Sequence, residues 1–295
     1  MRRRTVAVVA AVALLAGGCA TDRSGALGPA PTAPPPTGAV APTPSPTPSP
    51  TTAAPSGAVP RPSVSVPATT APAASRPGTV TIELWYVRDG HIAPTRRTRP
   101  ATVATSGLAL AELAAGPTAV EADAGLATLL PAALGITRIA DGVAVVGAVP
   151  GDGDDRVRRL TEAQVVYTLT QFPTVRRVRF GAGPPIGRPE YADLLPPIVV
   201  TAPTIGQRVT TPVVVTGTAD VFEATVSVRV LDAAGREVGT AFTTATCGTG
   251  CRGAFRVTVG YRVGRDQVGT VEAYEVSPAD GSRTKVVAVP VLLVG

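Results

Sequence analysis

The sequence predicts an α+β domain followed by an all-β sandwich, both behind a disordered proline-rich tether. Three observations carry this reading. All 11 aromatic residues of the 295-residue chain lie beyond residue 79. Proline supplies 16 of the 59 residues from 20 to 78. Residues 79–183 mix helix and strand periodicities, whereas strand patterns alone follow residue 197, an order that predicts separate domains.

Arg2, Arg3 and Arg4 open the chain, and Val6 to Ala16 form an apolar run. That run falls short of the roughly 20 residues a membrane-spanning helix needs and fits the core of a signal peptide over residues 1–18. Leu14-Leu15-Ala16-Gly17-Gly18-Cys19 resembles a bacterial lipobox. The resemblance implies cleavage before Cys19, acylation of its thiol, and anchoring at the extracytoplasmic face of the membrane. From 19 to 78 the chain reads as the lipidated cysteine plus a Pro/Thr/Ser/Ala-rich linker that buries too little apolar surface to fold. In polyproline II form it would span roughly 180 Å. Its Ser, Thr and Pro content also permits O-glycosylation.

Residues 79–183 predict the order β-β-α-β-β-α-β. Thr79 to Val87 alternates and is rich in β-formers, Asp89-Gly90 is a hairpin signal, and His91 to Arg99 returns as the partner strand. Ala101 to Ala115 reads as a helix with Val103, Leu110 and Ala114 on one face, stopped by Gly116-Pro117. Ile136 to Ile139 and Val143 to Val149 are strands around a second turn, Asp141-Gly142. A second helix covers Asp154 to Phe172, and Val175 to Phe180 closes the domain as a strand. The prolines of 184–196 mark an inter-domain linker.

From 197 to 295 seven short strands are predicted: Ile198 to Thr201, Val213 to Thr218, Thr225 to Leu231, Arg236 to Thr243, Ala254 to Tyr261, Val268 to Val276 and Lys285 to Leu293. Short strands at this spacing, separated by turn signals, predict an immunoglobulin-like β-sandwich.

Two family resemblances rest on particular residues. Leu113-Ala114-Ala115-Gly116-Pro117, then Glu121, then Gly125-Leu126-Ala127-Thr128-Leu129-Leu130-Pro131, with the later helix Glu162 to Thr170, resembles the GerMN domain of bacterial sporulation and germination lipoproteins. Pro203, Gly206, Val213 to Gly217 and Val221-Phe222-Glu223-Ala224, leading into Val226 to Asp232, resemble the immunoglobulin-like domain of bacterial spore germination proteins. Together they imply a Gram-positive envelope lipoprotein acting as a non-catalytic binding or assembly module. Its expected partners are the membrane, through Cys19, and an envelope protein or a cell-wall polymer. The use of 26 Arg against one Lys points to a GC-rich, actinobacterium-like source.

The candidate chemistry is sparse. Cys247-Gly248-Thr249-Gly250-Cys251 in an exported chain predicts a disulfide, with glycines that let the chain turn. Asp154 and Asp155, ending the run Gly151-Asp152-Gly153-Asp154-Asp155, are placed to cap a helix, because Arg156 stands where a calcium loop needs an oxygen ligand. A single histidine, His91, argues against triads and multi-histidine metal sites. No catalytic, cofactor or metal residue is assigned, and an extracellular hydrolase is the least favoured class.

The net charge of +6 and pI near 9.8 invite a nucleic-acid reading that export opposes. Arg2, Arg3 and Arg4 supply three of the six excess charges, and residues 79–295 balance 21 basic against 20 acidic groups. Arg96-Arg97-Thr98-Arg99 and Arg176-Arg177-Val178-Arg179 remain as local basic clusters, with Arg177 and Arg179 expected on one solvated strand face.

Overall fold

Alternating β-formers on either side of the Asp89-Gly90 turn make the first hairpin, Thr79–Arg88 (β1) and His91–Pro100 (β2), in register from Thr79 opposite Pro100 to Arg88 opposite His91. The computed structural model describes residues 78–149 and 154–295, all within one compact unit spanning Thr69–Gly295. The segments expected to be a signal peptide and a tether, with Cys19 between them, lie outside the described residues. Among the described residues no helix is long and apolar enough to cross a membrane.

Helix α1 is Thr105–Ala115, four residues shorter at its start than the sequence predicts. Thr102 explains the difference. Its hydroxyl accepts from the Ala104 N–H and its carbonyl from the Thr105 hydroxyl, forming a turn that leaves Val103 fully exposed. Gly116, with φ of 89°, ends the helix as expected. A short helix not predicted, Ala119–Asp123 (α2), follows, then strands Ile136–Ala140 (β3) and Val143–Val146 (β4). Helix α3, Asp155–Leu169, leads into Arg177–Phe180 (β5), which pairs parallel to β4, and a two-residue strand Pro185–Ile186 (β6) completes the sheet β3-β4-β5-β6.

Helix α3 buries Leu160, Ala163, Val165, Val166 and Leu169 together with polar Thr161, Gln164 and Thr168. Thr161 donates to the Val157 carbonyl within the helix and Gln164 accepts from Leu129 N–H, while Thr168 serves β1. β1 has a strand on one side only, so its other edge leaves N–H and C=O groups without a ladder. Thr168 Oγ1 accepts from Trp85 N–H at 3.0 Å, Gln171 Oε1 accepts from Glu83 N–H at 2.8 Å, and Gln171 Nε2 donates back to the Glu83 carbonyl at 2.7 Å. Thr168 at the end of α3 and Gln171 in the turn after it thus take the place of a strand along this edge.

The 184–196 segment corrects the linker expectation. Besides β6 it forms the 3-10 helix Arg188–Leu194, and Tyr191 and Leu194 are buried in the same apolar cluster as Leu84, Leu110 and Val166. Two large apolar residues three apart on one helical turn outweigh the surrounding prolines, which here start elements instead of forming a spacer.

The C-terminal part has eight strands, one more than predicted. They are Ile198–Ala202 (β7), Arg208–Val209 (β8), Val213–Ala219 (β9), Thr225–Leu231 (β10), Glu237–Thr244 (β11), Gly253–Val259 (β12), Gln267–Val276 (β13) and Arg283–Leu293 (β14). They form sheets in the orders β11-β10-β13-β14-β8 and β12-β9-β7. The extra strand, β8, is two residues long and pairs parallel to the end of β14. Alternation puts Val226, Val228, Val230, Val271 and Val291 of one sheet against Ile198, Val215, Phe255 and Val259 of the other in a second core. Gly217, in the middle of β9, must lack a side chain, because a Cβ there would run into the Val199 carbonyl and the Phe255 ring.

Removing Leu194 tests whether 184–196 belongs to the first core. Leu194→Ala is expected to lower the unfolding free energy by about 2–5 kcal/mol in chemical denaturation. A change near zero would return the segment to linker status.

Candidate functional site

The resemblance-bearing motif after α1 encloses a buried charge network. Thr118 caps α2, accepting from Glu121 N–H, while the Glu121 carboxylate reaches back to Thr118 N–H at 2.7 Å. The same carboxylate accepts from Thr95 Oγ1 at 2.7 Å and from Arg97 at 2.7 Å. Arg97, 9% exposed, also donates to Glu112 at 3.0 Å and to the Gly116 carbonyl at 3.0 Å. Arg99 holds Glu112 through both of its carboxylate oxygens, each at 2.7 Å. Arg97 also lies over the Tyr86 ring, whose hydroxyl donates to the Glu112 and Gly116 carbonyls.

The titrations follow from this geometry. Burial pushes the Tyr86 hydroxyl up to about 12. Burial opposes ionisation of Glu121, but the hydrogen bonds from Thr118, Thr95 and Arg97 outweigh it and hold the carboxyl below the ordinary range. The Arg99 hydrogen bonds do the same for Glu112. The first basic cluster is therefore wholly neutralised, with Arg96 against Glu83 at 3.2 Å.

The second assembly surrounds the disulfide. Cys247 and Cys251 are bonded as predicted. The loop they close docks on the Val221-Phe222-Glu223-Ala224 turn. Thr249 Oγ1 accepts from Glu223 N–H at 3.1 Å, Thr249 N–H donates to the Val221 carbonyl at 3.0 Å, and Gly250 N–H donates to Asp220 at 2.8 Å. A Cβ on Gly248 would collide with Ala224, so glycine is required for this close approach. Beneath the turn, Glu275 accepts from Phe222 N–H at 2.7 Å and from Lys285 Nζ at 2.8 Å. Burial raises the Glu275 pKa, but Lys285 and the Phe222 N–H more than compensate, leaving it below the usual carboxylate value.

Among the described residues, six that are not glycine have positive φ. Asp89 and Asp141 occupy the two Asp-Gly turns. The other four, Glu223, Ala224, Thr249 and Lys285, all belong to this assembly. Each such backbone costs about 1–3 kcal/mol and persists only where surrounding contacts over-determine it, a feature that concentrates at functional sites. The strained loops border a cavity of about 520 Å3, with Asp220, Arg252 and Lys285 on its wall, Leu195 and Pro197 behind, and the half-exposed Phe222 ring at its edge. Arg252 donates to the Pro196 carbonyl at 2.7 Å and the Pro197 carbonyl at 3.3 Å, so the disulfide loop grips the segment joining the two cores. Burial lowers the pKa of Arg252, countered by the attraction of Asp220. A neighbouring apolar groove of about 230 Å3 runs between the β1–β2 turn and β7, walled by Ile92, Leu126, Val199 and Val287.

The other residues singled out in the sequence fall into place separately. Asp154 caps α3, accepting from Arg156 and Val157 N–H groups. Its predecessors Gly151 to Gly153, and Cys19, lie outside the described residues. His91 is partly exposed and its Nδ1 sits 3.0 Å from the Asp89 carbonyl. Among the described residues no group of three metal-ligating side chains converges. Sequence reasoning missed Glu112, Arg252, Glu275 and Lys285. Of the missed features only the Thr118-x-x-Glu121 capping box carries a local signal.

Fold and site define a two-domain module in which an α+β domain and an immunoglobulin-like sandwich meet at a disulfide-closed loop. Both halves match known families. Residues 76–183 match the model described as sporulation and spore germination, and 197–282 match that of the immunoglobulin-like domain of bacterial spore germination. The chain thus carries a domain of the sporulation and spore germination type followed by an immunoglobulin-like domain of the bacterial spore germination type. Among solved structures it is similar to the first GerMN domain of the sporulation protein GerM from Bacillus subtilis, at 23% identity and a TM-score of 0.31, covering 37% of this chain and 95% of that one. It is also similar to the tandem GerMN domains of that protein, at 16% identity and a TM-score of 0.32, covering 62% of each chain. No curated protein matches the sequence.

Two measurements check these assemblies. Glu121→Gln is expected to destabilise by about 3–5 kcal/mol, because it strands Arg97 without a full counter-charge. Glu112 and Glu121 have depressed folded-state pKa values, so their contribution is present above the unfolded glutamate pKa and lost as pH falls through the folded values. Wild-type stability should therefore fall on acidification below about pH 5, and Glu121→Gln should flatten that fall. Separately, a maleimide without reductant should leave Cys247 and Cys251 unlabelled even in denaturant, and labelling of either would show open thiols.

Proposed function

We propose that this chain is a lipid-anchored protein of the cell envelope that acts as a non-catalytic binding or assembly module in a sporulation- or germination-type system. The observation that carries the reading is the pairing of the two matched families in one chain behind the Leu14-to-Cys19 lipobox resemblance. The non-catalytic part is supported by how the carboxylates are used. Glu112, Glu121 and Glu275 each serve as a counter-ion or backbone acceptor inside the fold, with pKa values moved away from neutrality and not towards it. The binding face assigned to a protein partner is the strained loop cluster around Phe222 and Thr249. Rigid loops on a sandwich present contact surface at little entropic cost.

A second reading, attachment to a cell-wall polymer, is favoured by one observation: among the described residues the arginines of β5 have no carboxylate within 4 Å, unlike the Arg96–Arg99 cluster.

Two experiments separate the parts of the proposal. Cys19→Ala should move the protein from the membrane to the soluble or secreted fraction, and unchanged fractionation would remove the anchor. Co-purification of the lipidated chain should enrich a defined envelope protein that Phe222→Ala loses. Enrichment unaffected by Phe222→Ala would move the binding face elsewhere.

A further inference from the structure

The two arginine clusters are alike in sequence and opposite in their surroundings. Arg96, Arg97 and Arg99 meet Glu83, Glu112 and Glu121 at 2.7–3.2 Å. Arg177 and Arg179 on β5 have no carboxylate within 4 Å among the described residues, and neither does Arg138 on β3.

The sheet topology brings these three together. β4 lies between β3 and β5, and Val145 is opposite Arg138 on one side and Arg179 on the other. Val143 is opposite Arg177. Ala144, Val146 and Val178 are buried, so the alternate positions Arg138, Val143, Val145, Arg177 and Arg179 occupy the opposite, outward face. Arg177 and Arg138 are exposed. Arg179 is half-buried, and its Nε is a buried donor with no hydrogen-bond partner.

We infer that this outward face of β3-β4-β5 is a binding surface for a phosphodiester-linked wall polymer. The spacing fits a repeating anion. Arginines two apart on a strand stand about 7 Å apart, and those on strands separated by one neighbour stand about 9–10 Å apart, so successive charges of an extended chain can each meet a guanidinium. Guanidinium forks suit phosphate oxygens better than ammonium groups do. The face favours a polymer over a lipid surface, because the apolar residues between the arginines, Val143 and Val145, are small and half-buried, and a bilayer-binding face needs projecting apolar anchors. The inference deepens the wall-polymer reading of β5 and is independent of the loop cluster assigned to a protein partner.

The test uses the full mature chain in a Cys19→Ala background with poly(glycerol phosphate) as probe, in parallel with vesicles of phosphatidylglycerol and phosphatidylcholine. Binding to the polymer is expected to fall roughly 15–20-fold between about 50 mM and about 200 mM salt, the slope for three released counterions. Arg138→Gln with Arg177→Gln, both exposed and outside the core, should weaken it at least about tenfold. Arg256→Gln with Arg262→Gln, which removes the same charge from exposed positions in the sandwich, should leave it within about twofold. Equal losses in the two double variants would reduce the effect to net charge and overturn the assignment of this face while leaving polymer attachment itself in place. Failure of the wild-type chain to bind polymer at low salt, or binding to the vesicles alone, would overturn both.

Discussion

A guanidinium nearly closed off from water sits between two carboxylates, and much of the α+β architecture depends on it. Arg97 brings together β2, the end of α1 and the start of α2. Such a triad contributes little net stability over apolar packing, because desolvating three charges costs nearly as much as their attraction returns. What it does is fix geometry. With Glu121 bound to Arg97, Thr95 and the Thr118 N–H, the Gly116-Pro117 turn has one low-energy position and α2 has one direction. The chain then runs to Ala127, which exchanges backbone hydrogen bonds with Val87 at 2.8 and 2.9 Å and so extends the edge of β1. Leu126, just before it, becomes a wall of the groove beside the sandwich, and Val120 on α2 comes to rest near Gly206 of the sandwich. A charge cluster in one core thereby sets the surface on which the second part is seated.

The joint between the two cores is built on the same logic of satisfied backbone groups. Pro196 and Pro197 lack N–H donors, and their carbonyls are taken by Arg252 from the far end of the disulfide loop. Tyr191 and Leu194 draw the preceding turn into the first core, while Val199 of β7 packs on that core and its neighbours Ile198 and Val200 pack on the second. One strand thus serves both cores on opposite faces. A hinge needs groups that can exchange partners at little cost. This segment offers instead buried side chains and two carbonyls bound by Arg252.

How much of this the sequence discloses depends on the range of the interaction. Period-two alternation in Val226-Ser227-Val228-Arg229-Val230 and the Asp89-Gly90 and Asp141-Gly142 turns are decided within a few residues, and the corresponding elements are legible. Gly116 closes α1 for the same local reason. The start of α1 is less legible, because the Thr102 side chain competes for backbone groups over three residues, which apolar spacing does not register. The burial of Thr168 runs against polarity and becomes intelligible only once β1 is known to lack a neighbour on that edge. Proline density in 184–196 reads as a spacer, although Tyr191 and Leu194 stand there as residues with a core to fill. The loop cluster is half legible. The cysteines and the Val221–Ala224 tetrapeptide stand out, but Glu275 and Lys285, far along the chain, carry no sign that they hold the turn from beneath.

The arginines show why charge is the least legible quantity of all. Arg-Arg-x-Arg occurs twice on strands, and no local property tells the copies apart. The difference is made by acids 13 to 24 residues away in sequence, which β1, α1 and α2 deliver to one copy and not to the other. Because residues 79–295 are close to balance, each carboxylate drawn into the Arg97 network, or bound by Lys285 or Arg236, is one fewer to screen β5. A folded part with almost no net charge can therefore still hold arginines without a close carboxylate on one sheet face, and total charge says nothing about where they lie. The same burial that makes Arg97, Glu112 and Glu121 a structural unit leaves Arg138, Arg177 and Arg179 as cations still able to meet a partner from outside.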